Sequence, residues 1–146
     1  MMVSGACVRV DQSRSDRVRN GSLPQNARNV LEVLRKLERP VKAYGLLELL
    51  HDKGIHAPMT VYRALDRLIA EGLVRKIESL NAFMALPAFT EMPVAFVICR
   101  QCWRTRTEDL DDCTKGWLNS IGADADDSYI EVYSDCYSCS CPTTSE

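Results

Sequence analysis

Two Cys-x-x-Cys pairs limit the possible folds of this chain more than any other feature of its sequence. The first pair is Cys99 and Cys102, and the second is Cys136 and Cys139. Each pair follows a strand-like segment, so the two turns can place four thiolates around one Zn²⁺ in the tetrahedral geometry that zinc accepts. Four thiolates leave no coordination position for water, so the sequence predicts one structural zinc per chain. Cys141 lies two residues beyond Cys139 and is an alternative fourth ligand.

A thiol–disulfide redox pair is the rival interpretation of a Cys-x-x-Cys motif. Such a pair opens a helix in a βαβ unit, and neither pair here shows that pattern. Among the other cysteines, Cys113 lies on the apolar stripe of a predicted helix and is expected in the core. Cys7 lies in a polar N-terminal segment and is expected to be incidental. Bound zinc contributes on the order of 10 kcal/mol to the folding of a small domain, so its removal is expected to loosen the C-terminal half.

Three helices and a hairpin are predicted in the first half of the chain. Apolar residues recur at helical spacing from Pro24 to Pro40, from Lys42 to Lys53 and from Pro58 to Glu71. Two strand-like segments follow, at Leu73–Ile77 and Ala82–Leu86. Three short helices and a hairpin are typical of a winged helix-turn-helix, whose third helix keeps a polar outer face. An ordinary small helical subdomain is the alternative that spacing alone leaves open.

The second half is predicted to be a small α/β unit, so the chain as a whole is expected to be α+β. Strand patterns occur at Val94–Ile98, Arg104–Glu108 and Ser128–Ser134. Before the last of these, apolar residues at helical spacing predict a short helix: Leu110, Cys113, Trp117, Leu118 and Ile121. Prolines at both ends of residues 87–93 indicate a hinge between the halves.

Charge is distributed unevenly between the halves. Residues 1–80 contain 14 Lys and Arg against 9 Asp and Glu, a net charge of +5, and residues 81–146 contain 4 against 11, a net charge of −7, which together give −2. A basic first half favours contact with nucleic acid, although this imbalance is modest enough to arise by chance. No apolar run resembles a membrane span or a signal peptide, so we expect a soluble cytoplasmic protein without a membrane partner.

From about Pro24 to Cys139 the chain resembles the ferric uptake regulator family, in its zinc uptake regulator branch. The strongest stretch is Ala57-Pro-Met-Thr-Val-Tyr-Arg-Ala-Leu-Asp-Arg-Leu-Ile-Ala-Glu-Gly-Leu-Val. The resemblance implies metal-responsive repressors that bind A/T-rich inverted repeats in double-stranded DNA as homodimers. It also implies a domain plan: a flexible tail at 1–22, a winged-helix DNA-binding domain at 23–86, a hinge at 87–93, a zinc-stabilised dimerisation domain at 94–141 and a tail at 142–146.

The resemblance also implies roles for single residues in DNA binding. Arg63 on the third helix would bond a purine edge in the major groove, where a guanidinium matches the two acceptors of guanine. Tyr44 would touch a base or its methyl group. Thr60 and Tyr62 would hold phosphates, which fixes register without reading sequence.

Three further cations lie near these positions. Arg67 is four residues after Arg63 and shares its helix face. It would either add a phosphate contact or pair with Glu71, and we weigh the two equally. Arg75 and Lys76, in the predicted wing, could also reach the DNA backbone.

The family's sensing site, a second zinc site at the hinge, is where the resemblance fails. The matching positions hold Arg75, Leu86, Met92 and Thr107, and other family His positions hold Ser128 and Tyr133. None of these is a good zinc ligand. The only histidines, His51 and His56, lie in the first half and are expected at the surface. The sequence therefore predicts that the zinc sensor is lost.

Three consequences of that loss stay open. DNA binding could be constitutive, it could respond to another signal such as oxidation at Cys113 or Cys141 or a ligand at the hinge, or the chain could be a paralogue that heterodimerises with a true regulator. The leading hypothesis is a dimeric DNA-binding repressor. The alternative is a zinc-stabilised protein–protein interaction module. An enzyme, or any small-molecule substrate, is not expected, because no nucleophile–base pair, open metal site or phosphate loop is evident.

Overall fold

The computed structural model describes residues 23–87, 90, 92–124 and 128–135. The two predicted tails, at 1–22 and 142–146, lie outside the described residues. So do four cysteines, Cys7, Cys136, Cys139 and Cys141, and part of the predicted hinge.

Three helices form the first half, as predicted. They are α1 (Gln25–Leu37), α2 (Ala43–Leu50) and α3 (Pro58–Ala70), and a 3-10 turn at His51–Lys53 continues α2. Pro58 occupies the start of α3, where its missing N–H costs no helical bond. The helical segment that α2 begins ends at Gly54, whose φ of 80° suits glycine.

The inner faces of these helices form one hydrophobic core. The buried residues follow the helical period: Ala27, Val30, Leu31 and Leu34 in α1; Ala43, Leu46 and Leu50 in α2; Val61, Ala64, Leu65 and Leu68 in α3. Each fully buried aliphatic side chain contributes about 1.5–3 kcal/mol, so this shared core fixes the orientation of α3.

The wing is an antiparallel hairpin of β1 (Val74–Ile77) and β2 (Ala82–Ala85). A 3-10 turn at Glu78–Leu80 joins the strands. One addition was not predicted: the backbone of Val41 exchanges two hydrogen bonds of 2.8 Å with Phe83, which ties the segment before α2 to the wing.

A three-stranded sheet with strand order β4-β3-β5 forms the second half. The central strand β3 (Val94–Cys99) is mostly buried and pairs antiparallel with β4 (Thr105–Asp109) and parallel with β5 (Tyr129–Ser134). Helix α4 (Asp112–Ser120) lies between β4 and β5 in the chain, and its N-cap Asp111 accepts a hydrogen bond from the Thr114 N–H at 2.8 Å. The α+β class is confirmed.

The prediction that Cys113 belongs to the core is wrong. Leu118 is the only residue of α4 that is buried within the described part of the chain, and Cys113 is exposed. Trp117 and Ile121 are 55% and 59% exposed. Since neighbouring helical residues are about 100° apart, Leu118 lies on the buried side of the helix, while Cys113, Trp117 and Ile121 lie at exposed positions.

Candidate nucleic-acid interface and metal centre

The outer face of α3 is a continuous exposed surface. Its members recur at helical spacing opposite the buried face: Met59, Tyr62, Arg63, Asp66 and Arg67. Arg63 lies in the middle of this row and is exposed, while its neighbours Val61 and Leu65 are buried at 0% and 1%. The buried face therefore anchors the helix, and Arg63 projects away from the core.

The other predicted DNA-binding residues also lie at accessible positions. Tyr44, in the first turn of α2, is 70% exposed, and Tyr62 is 41% exposed. Thr60 is half-buried in the first turn of α3, where its N–H donates to the Ala57 carbonyl at 3.0 Å. At 70% exposure the ring and the hydroxyl group of Tyr44 are both accessible to a partner.

Three cations near this face are engaged within the chain. Arg67 Nη2 lies 2.9 Å from a Glu71 carboxylate oxygen, which is the salt bridge weighed against a phosphate contact. Lys76 Nζ lies 2.9 Å from a Glu78 oxygen, and this hydrogen bond raises the pKa of Lys76. Exposed ion pairs contribute little stabilisation, so Arg67 and Lys76 can each exchange a carboxylate partner for a DNA phosphate. Arg75 is different, because its guanidinium carbon lies 5.8 Å from the ring centroid of Tyr129.

Met59 is a surface residue that sequence reasoning missed. It lies in the first turn of α3, is 60% exposed and precedes Arg63 by one helical turn. The sequence signal for this residue is an apolar side chain on the otherwise polar face of the predicted third helix, directly before Thr60.

The first Cys-x-x-Cys pair forms a tight turn at the end of β3. Cys99 is 7% exposed and Cys102 is half-buried. The Cys99 carbonyl accepts the Trp103 N–H at 3.0 Å, and the Cys99 sulfur accepts the Gln101 N–H at 3.4 Å. Trp103 has a φ of 62°, which turns the chain back so that the Cys99 N–H bonds the Arg104 carbonyl at 2.9 Å. Metal-bound thiolates accept hydrogen bonds of this kind from N–H groups that lie outside the coordination shell.

Strand β5 ends beside this turn. In the parallel register Ser134 is the partner of Cys99, and the Ser134 carbonyl accepts the Arg100 N–H at 3.0 Å. The second pair, Cys136 and Cys139, lies outside the described residues. Within residues 23–87, 90, 92–124 and 128–135, no three His, Cys, Asp or Glu side chains are grouped as metal ligands.

The positions that match the family's sensing site lie in apolar or packed surroundings. Leu86 is 8% exposed within a buried cluster, and Met92 packs against the same cluster. Thr107 lies on β4 opposite Phe96. His51 and His56 are exposed, as expected, with ring centroids 4.3 Å apart. Among the described residues, no helix is long and apolar enough to cross a bilayer.

The curated relatives and the most similar solved structures belong to one family. No family model matches the chain. The zinc uptake regulation protein of Escherichia coli (strain K12) is 31% identical over 128 residues, which cover 83% of this chain and 74% of that protein. The protein of the same name from Shigella flexneri matches with the same figures.

Two solved structures share the fold and part of the sequence. Holo XcZur matches with a TM-score of 0.65 and 34% identity over 79% of this chain and 84% of that one. A zinc uptake regulator complexed with zinc and DNA matches with a TM-score of 0.69 and 28% identity over 86% and 87%. With this identity and coverage, the chain belongs to the ferric uptake regulator family, in its zinc uptake regulator branch.

Proposed function

We propose that this protein is a homodimeric transcription repressor that binds A/T-rich inverted repeats in double-stranded DNA, holds one structural zinc per chain and does not sense zinc at the hinge. The observation that supports it most is the outer face of α3, with exposed Arg63 at its centre and a buried face behind it. A relative of the same fold is a zinc uptake regulator complexed with DNA. Membership of this family makes the chain a regulator and not an enzyme. The proposal places its action on DNA in the cytoplasm.

In this proposal, α3 and the start of α2 recognise the base sequence of the DNA. A helix fits the major groove, and Arg63 can donate two hydrogen bonds to the O6 and N7 atoms of one guanine. Tyr44 and Met59 offer apolar surface to thymine methyl groups, which suits an A/T-rich site. Thr60, Tyr62 and Arg67 would bond phosphates, and these contacts set the register of the helix.

The residues of the zinc site fit a closed tetrahedral centre. Cys99 and Cys102 share one turn, and Cys136 follows Ser134, the β5 partner of Cys99, by two residues in the sequence. Two residues span at most about 7 Å, so Cys136 is within reach of the first pair. Four thiolates from Cys99, Cys102, Cys136 and Cys139 match the donor set that zinc prefers. The metal would join the ends of β3 and β5.

Dimerisation is assigned to the second half, with domain limits at 23–86 and 94–141 and a hinge at 87–93. On α4 the exposed residues Cys113, Trp117 and Ile121 recur every four positions and form an apolar stripe. A row that includes a tryptophan at 55% exposure is typical of a contact with a second copy. Two α3 helices related by a two-fold axis would then face two half-sites of a palindrome.

Loss of the zinc sensor rests on side-chain chemistry. An aliphatic chain, a thioether, a guanidinium and a hydroxyl, at Leu86, Met92, Arg75 and Thr107, replace the His, Cys and Glu ligands of the family. These groups bind zinc poorly. Added zinc is therefore not expected to bind at the hinge and change the affinity for DNA.

Fluorescence anisotropy with two duplexes, an A/T-rich palindrome and a shuffled sequence of equal composition, tests DNA binding. A dimer that makes about six to ten phosphate contacts loses about 10³–10⁵ in affinity between 50 and 200 mM salt. We expect that slope together with a preference for the palindrome. Weak binding that is equal for both duplexes would favour the interaction module instead.

A further inference from the structure

We propose that the wing and the second-half sheet are held together by a contact that does without metal, and that Glu131 is the residue that positions the wing in it. This wing contact consists of Ile77, Met84 and Leu86 against β3, with Glu131 and Tyr133 of β5 bonded to the turn at Glu78–Leu80. Its effect on DNA rests on the DNA-binding function proposed above.

An apolar layer forms the centre of the wing contact. Two wing residues, Ile77 and Met84, and the residue that follows β2, Leu86, share one buried cluster with Val94, Phe96 and Ile98 of β3. Ile77, Val94, Phe96 and Ile98 are all 0% exposed. Because both halves of the chain contribute buried side chains, separating them would expose apolar surface to water.

Glu131 orients the wing turn on this layer. One carboxylate oxygen accepts the Glu78 N–H at 2.8 Å and lies 3.4 Å from the Ser79 nitrogen, which also donates to it. The Ser79 hydroxyl also bonds the Tyr133 hydroxyl. A carboxylate that accepts backbone N–H groups makes stronger bonds than a neutral acceptor, and two donors fix its direction.

Tyr129 of β5 also contacts the wing, through Arg75. Its ring meets Phe96 edge-on at a centroid distance of 5.4 Å and lies under the Arg75 guanidinium. Burial raises the pKa of Tyr129, with Glu131 and Glu78 adding to the shift, so its hydroxyl stays neutral. A second link joins the halves at a distance from the wing, where the Thr105 N–H donates to the Glu38 carbonyl at 3.4 Å.

Several residues of the wing contact occupy positions that match metal-site positions of the family. Arg75, Leu86, Met92 and Tyr133 each contact the opposite half or the cluster between the halves. Their side chains would therefore fix the arrangement of the two halves by packing and hydrogen bonding. A dimer with halves fixed in this way presents its two α3 helices at one separation, without a second metal.

Four variants of the full zinc-loaded chain test the wing contact. Glu131→Ala removes the acceptor, Glu131→Gln keeps an acceptor oxygen, and Glu108→Ala removes an exposed carboxylate from the opposite edge strand, where it pairs with Arg106. Tyr133→Phe removes the hydroxyl bond to Ser79 and keeps the ring in place.

Amide hydrogen exchange without DNA measures the wing contact directly. We expect the Glu78 and Ser79 amides to exchange at least about tenfold faster in Glu131→Ala, with smaller acceleration at Ser79 in Tyr133→Phe. Glu131→Gln, which keeps a neutral acceptor, should fall between the wild type and Glu131→Ala, and Glu108→Ala should exchange like the wild type. Unchanged exchange in Glu131→Ala, or equal acceleration in Glu131→Gln, would overturn the assignment.

Anisotropy with two palindromes measures the consequence for DNA. The second palindrome moves the half-sites apart by two base pairs. The wild type should lose more affinity on this change than Glu131→Ala, while Glu131→Ala binds the better palindrome about five- to tenfold more weakly than the wild type. A purely destabilising effect would weaken both duplexes equally and would overturn the positioning role. If the wild type binds neither palindrome, the proposed function fails, and hydrogen exchange alone decides the wing contact.

Discussion

At the scale of single residues, Arg63 is the side chain on which the proposed base readout depends. It is exposed at the centre of the α3 face and held there by Val61 and Leu65. We expect Arg63→Ala to cost about 1–3 kcal/mol on the preferred palindrome and to relax one base preference, because one bidentate contact is lost. Anisotropy on the palindrome and on single-base variants measures both effects.

Two further variants separate charge from geometry at this position. Arg63→Lys keeps the cation and loses the planar fork, so most of the base preference should be lost. Arg106→Ala removes another exposed arginine, on β4, and should leave DNA affinity unchanged. Equal affinities for Arg63→Ala and Arg106→Ala would show that α3 does not read the DNA.

Cys102→Ser tests the zinc site, and Cys113→Ser is its matched control. Cys102 lies in the turn after β3, whereas Cys113 is exposed on α4. Cys102→Ser should reduce bound zinc, measured by elemental analysis after gel filtration, from one per chain to well below one. It should also lower the melting temperature, because zinc contributes on the order of 10 kcal/mol. Cys113→Ser should retain one zinc, and loss of zinc in this variant would contradict the ligand set.

At the scale of elements, Glu32 ties α1 to the turn after α2. Its two carboxylate oxygens each lie 2.7 Å from a lysine nitrogen, of Lys36 in α1 and of Lys53 in the 3-10 turn. Hydrogen bonds from these lysines lower the pKa of Glu32 to about 2. Because this pKa is lower in the folded chain than in the unfolded chain, Glu32 stabilises the fold above the ordinary glutamate pKa. That contribution is lost as the pH falls towards 2.

An NMR titration of the Glu32 carboxyl carbon measures this pKa. We expect a midpoint near pH 2 at low salt. High salt should raise the midpoint, because the pair is exposed and therefore screened. Lys53→Ala should raise it as well, whereas Lys42→Ala should not. A midpoint at the ordinary glutamate value in low salt would show that the two ion pairs do not form in solution.

The exposed apolar stripe on α4 leads to a prediction about dimerisation. Trp117→Ser should raise the dimer dissociation constant about 10- to 30-fold, as expected for a buried aromatic anchor at an interface. Asn119→Ser changes an exposed residue on another face of α4 and should have no effect. Analytical ultracentrifugation measures both constants. If both variants dimerise like the wild type, the interface lies elsewhere on the sheet half.

The sequence predicts elements well where period and caps agree, and less well where contacts between elements decide. Pro58 and Gly54 mark α3 and the end of the α2 segment, and both lie where the structure uses them. The bridge from Val41 to Phe83 was missed, because it joins residues far apart in the chain. Cys113 was misplaced because the apolar spacing of α4 cannot tell a core face from an exposed contact face. Arg67 illustrates the same limit, since the sequence gives equal weight to a phosphate contact and to a salt bridge with Glu71, and the structure shows the salt bridge.

At the scale of the whole molecule, the two halves meet along the wing contact. From the sequence one can predict that Arg75, Leu86 and Met92 are poor zinc ligands, because that follows from side-chain chemistry. The sequence does not reveal that Leu86 shares a buried cluster with Phe96, or that Arg75 lies over Tyr129. These contacts are the basis of our proposal that the two halves are held together without a second metal.

The zinc response of DNA binding tests this account most directly. Fluorescence anisotropy on the A/T-rich palindrome should use protein with one zinc per chain, titrated with and without added free zinc. We expect the two affinities to agree within about twofold, because we propose that the sensing ligands at the hinge are lost. Binding that tightens about tenfold or more on adding zinc, a coupling of about 1.4 kcal/mol, would contradict the account and show that a second zinc site controls the protein.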